Sequence, residues 1–166
     1  GQLGRDEPRD LTLGPVSSVV LDAVIDAAKD VDRVVLIGYA MGAMLLYKLL
    51  LTPLAAKVER LVLIEPVVNC WIRYAKPRFL SELPCLVVFG AHDDLVDRDA
   101  KHDVLESTRR FLTNSIAQRL EDGNHFGVMS SPLAWQGLPP DVTPTEVRAD
   151  IVDRITRFIE WGEETH

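Results

Sequence analysis

Apolar positions change their spacing several times along this chain, and each change predicts an element. Residues 1–15 are polar with Gly and Pro and read as loop. Val16, Val20, Ala23, Val24 and Ala27 then recur at helical intervals, with Asp22 and Asp26 off the stripe. That spacing predicts an amphipathic helix to about residue 29. Val34 to Ile37 is an unbroken apolar run, as in a strand buried on both faces. Met41 to Leu51 is apolar nearly all round, as a core helix is, and Pro53 stops it. Leu61 to Ile64 reads as a second buried strand ending at Glu65-Pro66, and Cys85 to Phe89 as a third ending at Gly90. Between them, residues 67–83 leave room for a short helix around Trp71 to Leu80. Residues 99–113 form a polar helix with Val104, Leu105, Thr108, Phe111 and Leu112 inward. Ile116 to Leu120 is a fourth strand, whose Ala117, Gln118 and Arg119 suit a sheet edge. After a loop over 129–142, the last helix opens on the capping box Thr143-Pro144-Thr145-Glu146. Its apolar stripe is Val147, Ile151, Ile155, Phe158 and Ile159.

Strands alternating with helices predict an α/β fold, a mostly parallel sheet flanked by helices on both faces. Ligand sites in such sheets lie at the C-terminal ends of the strands. No internal repeat or second-domain linker interrupts the pattern, so residues 1–166 are expected to form a single domain. The apolar stretch 34–51 is long enough to suggest a membrane span, but Gly38, Gly42 and Lys48 interrupt it. Its first half is β-branched and its second rich in Leu, Met and Ala, which fits a strand running into a helix better.

Composition narrows the function classes. The chain has 166 residues, 47% of them hydrophobic, enough for a proper core and against disorder. A formal charge of −7, with Lys and Arg scattered, argues against nucleic acid as a partner. Two cysteines, Cys70 and Cys85, make no disulfide framework, and Cys85 sits in an apolar run as a buried thiol would. The opening residues GQLGRDEPRD carry no apolar h-region, so the expectation is a cytoplasmic protein.

Candidate chemistry collects at three strand ends. In Gly38-Tyr39-Ala40-Met41-Gly42 two glycines bracket a tight strand-to-helix turn. Such a turn lifts its central residue above the sheet, and both glycines are expected because a Cβ would collide with neighbouring elements. The N–H of Met41, at a helix N-terminus, would face the space above residue 40 as an oxyanion donor. Gly90-Ala91-His92-Asp93-Asp94 places carboxylates just past the third strand, where one can orient a histidine. Gly123-Asn124-His125-Phe126 places that histidine just past the fourth.

These three runs, VVLIGYAMGAMLLYKLL, LPCLVVFGAHDDLVD and LEDGNHF, resemble the elbow, acid and histidine segments of the α/β-hydrolase superfamily. The resemblance spans about residues 10–161 and follows the family's order of nucleophile, acid, histidine. It implies a hydrolase or acyl-transfer enzyme acting on an ester, thioester or lactone without a cofactor or metal. The implied roles are residue 40 as nucleophile, Asp93 as catalytic acid with Asp94 as fallback, His125 as base, and the Met41 N–H as oxyanion donor. Tyr39, Trp71 and Tyr74 would line the substrate pocket, with Arg73 beside them.

The sequence departs from that pattern in two ways. Ala40 has no hydroxyl, so the usual acyl chemistry cannot run. The residue is either an inactivating substitution, which the filled acid and histidine positions favour, or natural. A natural alanine would make the chain a pseudo-enzyme that only binds, or a relative using His125 and Asp93 for proton abstraction in an elimination. The earlier strands and the large lid of the family are also missing from the pattern. The strand bearing Ala40 is therefore expected to pair with another copy or with an N-terminal partner fragment that completes the sheet. Two rivals fit less well. A dinucleotide site would show G-x-G-x-x-G rather than G-x-x-x-G and leaves His125 unexplained. A metal site among His92, His102, Asp93, Asp94 and His125 lacks recognisable ligand spacing, and His92 and His102 are expected to face solvent.

Overall fold

A computed structural model describes residues 15–66, 82–92, 114–129 and 132–161. Helix α1 (Pro15–Ala27) leads into strand β1 (Val34–Tyr39), which turns into helix α2 (Gly42–Leu50). Strands β2 (Val58–Ile64), β3 (Cys85–Gly90) and β4 (Ser115–Leu120) follow, and helix α3 (Pro144–Trp161) closes the order. The four strands pair in sequence order, all parallel, with Tyr39 opposite Ile64, Ile64 opposite Val88, and Gly90 opposite Leu120. The helices expected around residues 71–80 and 99–113 fall outside the described residues.

The two central strands explain why the sheet needs helices on both faces. Their side chains alternate between two cores. Leu61, Leu63, Cys85 and Val87 point to one face, where Leu36 and Ala43, Leu46, Leu49 and Leu50 of α2 cover them. Val62, Ile64, Leu86 and Val88 point to the other, where Val147, Ile151 and Phe158 of α3 cover them. Each such side chain taken wholly out of water contributes about 1.5–3 kcal/mol before entropy is counted. Cys85 is a buried free thiol, and burial pushes its ionisation up, so it behaves as a small hydrophobe.

Two expectations are corrected. β1 is not buried on both faces, since Ile37 is 49% exposed. Among the described residues the core cluster under α3 takes in side chains of β2, β3 and β4, and of β1 it takes in Tyr39 but not Ile37. Nor does Pro53 only stop α2. It opens a short 3₁₀ turn, Pro53–Lys57, in which the Thr52 hydroxyl donates to Leu49 O (2.6 Å) and accepts from Leu54 N (3.3 Å). The 129–142 loop likewise contains a 3₁₀ turn, Pro132–Trp135.

The capping box forms as predicted. Thr143 N donates to the Glu146 carboxylate at 2.8 Å, and Glu146 N donates to the Thr143 hydroxyl at 3.3 Å. The backbone N–H of Thr143, then its hydroxyl, hold the Glu146 carboxyl below the usual carboxylate range. A lowered folded value means support that is present above the unfolded value and fades as pH falls through the folded one. Thr143→Ala is expected to cost about 1 kcal/mol at neutral pH, about 2–4 °C in Tm. Thermal melts should show that deficit shrinking as the pH falls below the usual carboxylate range and the Glu146 carboxylate takes up its proton.

Candidate active site

At the end of β1 the chain turns abruptly into α2. Ala40 sits at φ 48°, a left-handed conformation that costs an L-residue about 1–2 kcal/mol. Two bonds hold it there. Its N–H donates to Ile64 O at 2.9 Å, and its carbonyl accepts from Ala43 N at 3.1 Å. Gly38 makes the turn possible, because a Cβ there would lie 2.7 Å from Leu46 Cδ1 and 2.8 Å from Ala43 Cα. Gly42 does not match the steric expectation. A Cβ on it, at the first residue of α2, would meet nothing within 4 Å among the described residues. The Met41 side chain is 55% exposed, and its N–H has no backbone acceptor among the described residues.

The end of β2 holds a residue that sequence reasoning passed over. Glu65 is also left-handed, at φ 45°, and only 3% exposed. Its N–H donates to Val88 O at 2.8 Å, and its carboxylate accepts the Gly90 N–H. The available signal was a charged residue directly after an apolar strand and before a proline, a position read only as the strand's end.

β3 and β4 come together through glycine. A Cβ on Gly90 would stand 2.4 Å from the Gly123 carbonyl carbon and 2.8 Å from Asn124 N. The contact is laced by His92 N donating to Gly123 O and Ala91 N to Leu120 O, both at 2.8 Å. His92 itself is partly buried. Asn124 is buried, and its amide donates to Ala134 O (2.8 Å) and Gln136 O (2.7 Å), tying the following loop down. His125 comes next, 6% exposed. The Tyr39 hydroxyl donates to its carbonyl at 2.7 Å, and the two rings lie 5.6 Å apart. Phe126 meets the imidazole edge-on at 5.2 Å. Tyr39, expected to shape the pocket, thus also fastens β1 to the histidine loop.

The structure therefore gathers Tyr39, Ala40, Met41 and His125 at the C-terminal edge of the sheet. Asp93, Asp94, Trp71, Arg73, Tyr74 and His102 lie outside the described residues. Clefts among the described residues include two that are lined by neither Ala40 nor His125. One of about 410 Å³ runs between the end of β4 and α3, and one of about 550 Å³ lies at the opposite end of the sheet, by Pro53 and Pro84.

A parallel sheet with a strained strand-to-helix turn over one strand and a buried histidine over another invites comparison with known proteins. Residues 1–163 match the sequence profile described as the alpha/beta hydrolase family. The chain belongs to that family. Among solved structures it is similar to a protein of unknown function from Agrobacterium tumefaciens, provisionally described as an α/β hydrolase, with 20% identity and a TM-score of 0.55. That match covers 96% of this chain and 67% of the other. It is also similar to a protein from Klebsiella pneumoniae provisionally described as a dienelactone hydrolase, with 16% identity, a TM-score of 0.58, and coverage of 87% and 62%. A dienelactone hydrolase-like promiscuous phosphotriesterase from metagenomic libraries matches at 19% identity and a TM-score of 0.52, with coverage of 85% and 59%. The chain thus spans about three fifths to two thirds of the length of these structures. No curated protein matches it. Among the described residues no helix is long and apolar enough to cross a membrane.

The two elbow glycines should respond differently to a methyl group. Gly38→Ala forces a Cβ into α2 and is expected to cost about 1–3 kcal/mol or more. Gly42→Ala is expected to be neutral or stabilising by up to about 1 kcal/mol, because the helix start has room and the unfolded chain loses freedom. Urea titration of both variants measures the difference.

Proposed function

We propose that this chain carries the catalytic edge of a serine-type α/β hydrolase for an ester, thioester or lactone, silenced by the alanine at position 40. The observation that supports this best is Ala40 itself. It is held at φ 48° on a tight turn, a conformation that costs stability and is useful for raising a nucleophile above a sheet. His125, buried one strand-end cluster away and pinned through Tyr39, supplies the base.

With serine at residue 40 the chemistry balances simply. Oγ bonds to the substrate carbonyl carbon as His125 takes its proton. The Met41 N–H stabilises the oxyanion, and Asp93 orients the imidazole and supports its charge. The leaving group departs with the proton from His125, and water cleaves the acyl-enzyme by the same steps in reverse roles. No cofactor enters this scheme. With alanine the first bond cannot form, and the loss is expected to reach several orders of magnitude because the three groups act as a unit.

The test is fluorophosphonate labelling read by intact mass. Ala40→Ser is expected to label, while the chain as given and Ala40→Ser/His125→Gln are expected not to. Failure of Ala40→Ser to label would reject the hydrolase reading. Turnover by the alanine form itself would favour proton abstraction by His125 and Asp93.

The same reading extends to association. Among the described residues β1, an apolar strand, pairs with β2 alone, whereas β4 presents Gln118 and Arg119 at the other edge. An apolar free edge is an association surface, and a charged one resists pairing. The expected occupant is a further strand, from a second copy or an N-terminal companion fragment. Sedimentation of the isolated chain should show a species larger than a monomer, and a monomer at all concentrations would reject self-association.

A further inference from the structure

The two positions on which the scheme above depends come from opposite edges of the described sheet. Residue 40 follows β1 and His125 follows β4, and the order β1-β2-β3-β4 puts two strands between them. Neighbouring strands lie about 4.8 Å apart, so β1 and β4 are separated by about 14 Å. Small differences in twist at each pairing add up across that span. A misplacement of about 1 Å can cost about a hundredfold in rate, so the sheet alone is a poor ruler for this pair.

Tyr39 bypasses the sheet. It is the last residue of β1 and pairs with Ile64, and the Ala40 N–H donates to Ile64 O at 2.9 Å. Residues 39 and 40 are therefore set by the same point on β2. The Tyr39 side chain packs at the margin of the core under α3. Its hydroxyl donates to the carbonyl of His125 itself at 2.7 Å, and the two rings stand 5.6 Å apart, tilted by 42°. The other ties on this loop lead elsewhere. Gly123 lies against Gly90 of β3, and the Asn124 amide donates to Ala134 O and Gln136 O in the chain that follows. The bond from Tyr39 refers the loop to β1, and so to residue 40. Phenylalanine would fill the same space but cannot donate, and serine or threonine could donate but would fall short.

We propose that Tyr39 is a positioning residue that sets the spacing between residue 40 and His125, its hydroxyl holding the histidine's backbone and its ring flanking the imidazole. This rests on residue 40 and His125 being the nucleophile position and the base.

The test uses Tyr39→Phe, which keeps the ring and removes the donor, and Tyr39→Met, which removes both. The sequence has a single His–Phe pair, at 125–126. Labelling histidine with carbon-13 at its carbonyl and phenylalanine with nitrogen-15 therefore isolates, by NMR, the carbonyl that Tyr39 holds. In the chain as it exists, with Ala40, Tyr39→Phe is expected to move that carbonyl signal upfield, as loss of a hydrogen bond does. The His125 ring signals, assigned through His125→Gln, are expected to broaden or split as the imidazole samples more than one position. Thermal melts show whether each variant folds; if the phenylalanine form does not, the methionine form carries the comparison. An unmoved carbonyl signal, or a moved one with ring signals as sharp and unshifted as before, would overturn the proposal and leave the bond as the ordinary pairing of a phenol. In the Ala40→Ser background Tyr39→Phe is expected to slow fluorophosphonate labelling by about tenfold yet reach the same final labelled fraction. With p-nitrophenyl acetate, kcat is expected to fall by about tenfold with KM within about twofold. A lower labelled fraction with an unchanged rate would mean a merely structural role and reject the proposal. An Ala40→Ser form that does not label, beside broadened His125 signals in Tyr39→Phe, would reject the hydrolase reading and keep the proposal. A labelling form whose rate Tyr39→Phe leaves unchanged would do the opposite.

Discussion

The backbone of Gly90 lies against the backbone of Gly123 with no side chain between them, and the arrangement of the site follows from that contact. With a Cβ on Gly90 only 2.4 Å from its neighbour's carbonyl carbon, the β4 loop would have to lift away from the sheet. His125 follows two residues after Gly123, so any lift would carry the imidazole with it. The hydrogen bonds from Ala91 to Leu120 and from His92 to Gly123 exist only because the two chains can come this close. Closeness also gives Tyr39, two strands away, something to reach. Its hydroxyl meets the histidine carbonyl and ties β1 to the far side of the same loop.

A repeated hydrogen bond runs along this edge of the sheet. The residue just past each strand donates its N–H to the next strand. Ala40 donates to Ile64, Glu65 to Val88, and Ala91 to Leu120. The first two of these donors carry the positive φ angles among the non-glycine residues described. Strain of about 1–2 kcal/mol at each persists because the neighbouring strand fixes the N–H and the chain beyond must turn at once. The strain is therefore a by-product of ending two adjacent parallel strands sharply, and it places two side chains at the edge where chemistry is possible.

Burial divides the molecule accordingly. The two inner strands are apolar on both faces, and α2 on one side and α3 on the other complete two separate cores. Among the described residues the buried polar side chains lie at the strand ends, where Asn124 secures a loop and Glu65 holds Gly90. Membership of the α/β hydrolase family accords with this division, in which a packed sheet carries the loops at its strand ends.

Much of this was legible in the residues. Unbroken apolar runs at 61–64 and 85–89 announce strands covered on both sides, although the similar run at 34–37 leaves Ile37 half exposed. Thr143-Pro144-Thr145-Glu146 announces its helix because capping is local chemistry. The glycine-bracketed turn at 38–42 and the histidine at 125 could be placed at strand ends because a parallel sheet puts every strand end on one side. What periodicity could not reveal were contacts between residues distant in sequence. Whether Gly38 or Gly42 is sterically required depends on where Leu46 and Ala43 stand. Whether Ile37 is covered depends on how far α3 reaches. Glu65 looked like punctuation at the end of a strand, and only the packing of β3 beside it, with Gly90 offering its N–H, makes its carboxylate a buried part of the site. Local patterns determined the elements and their order, because they depend on neighbours in the chain; which side chains share the dry edge of the sheet was decided by tertiary contacts among residues 39, 65, 90 and 123–125.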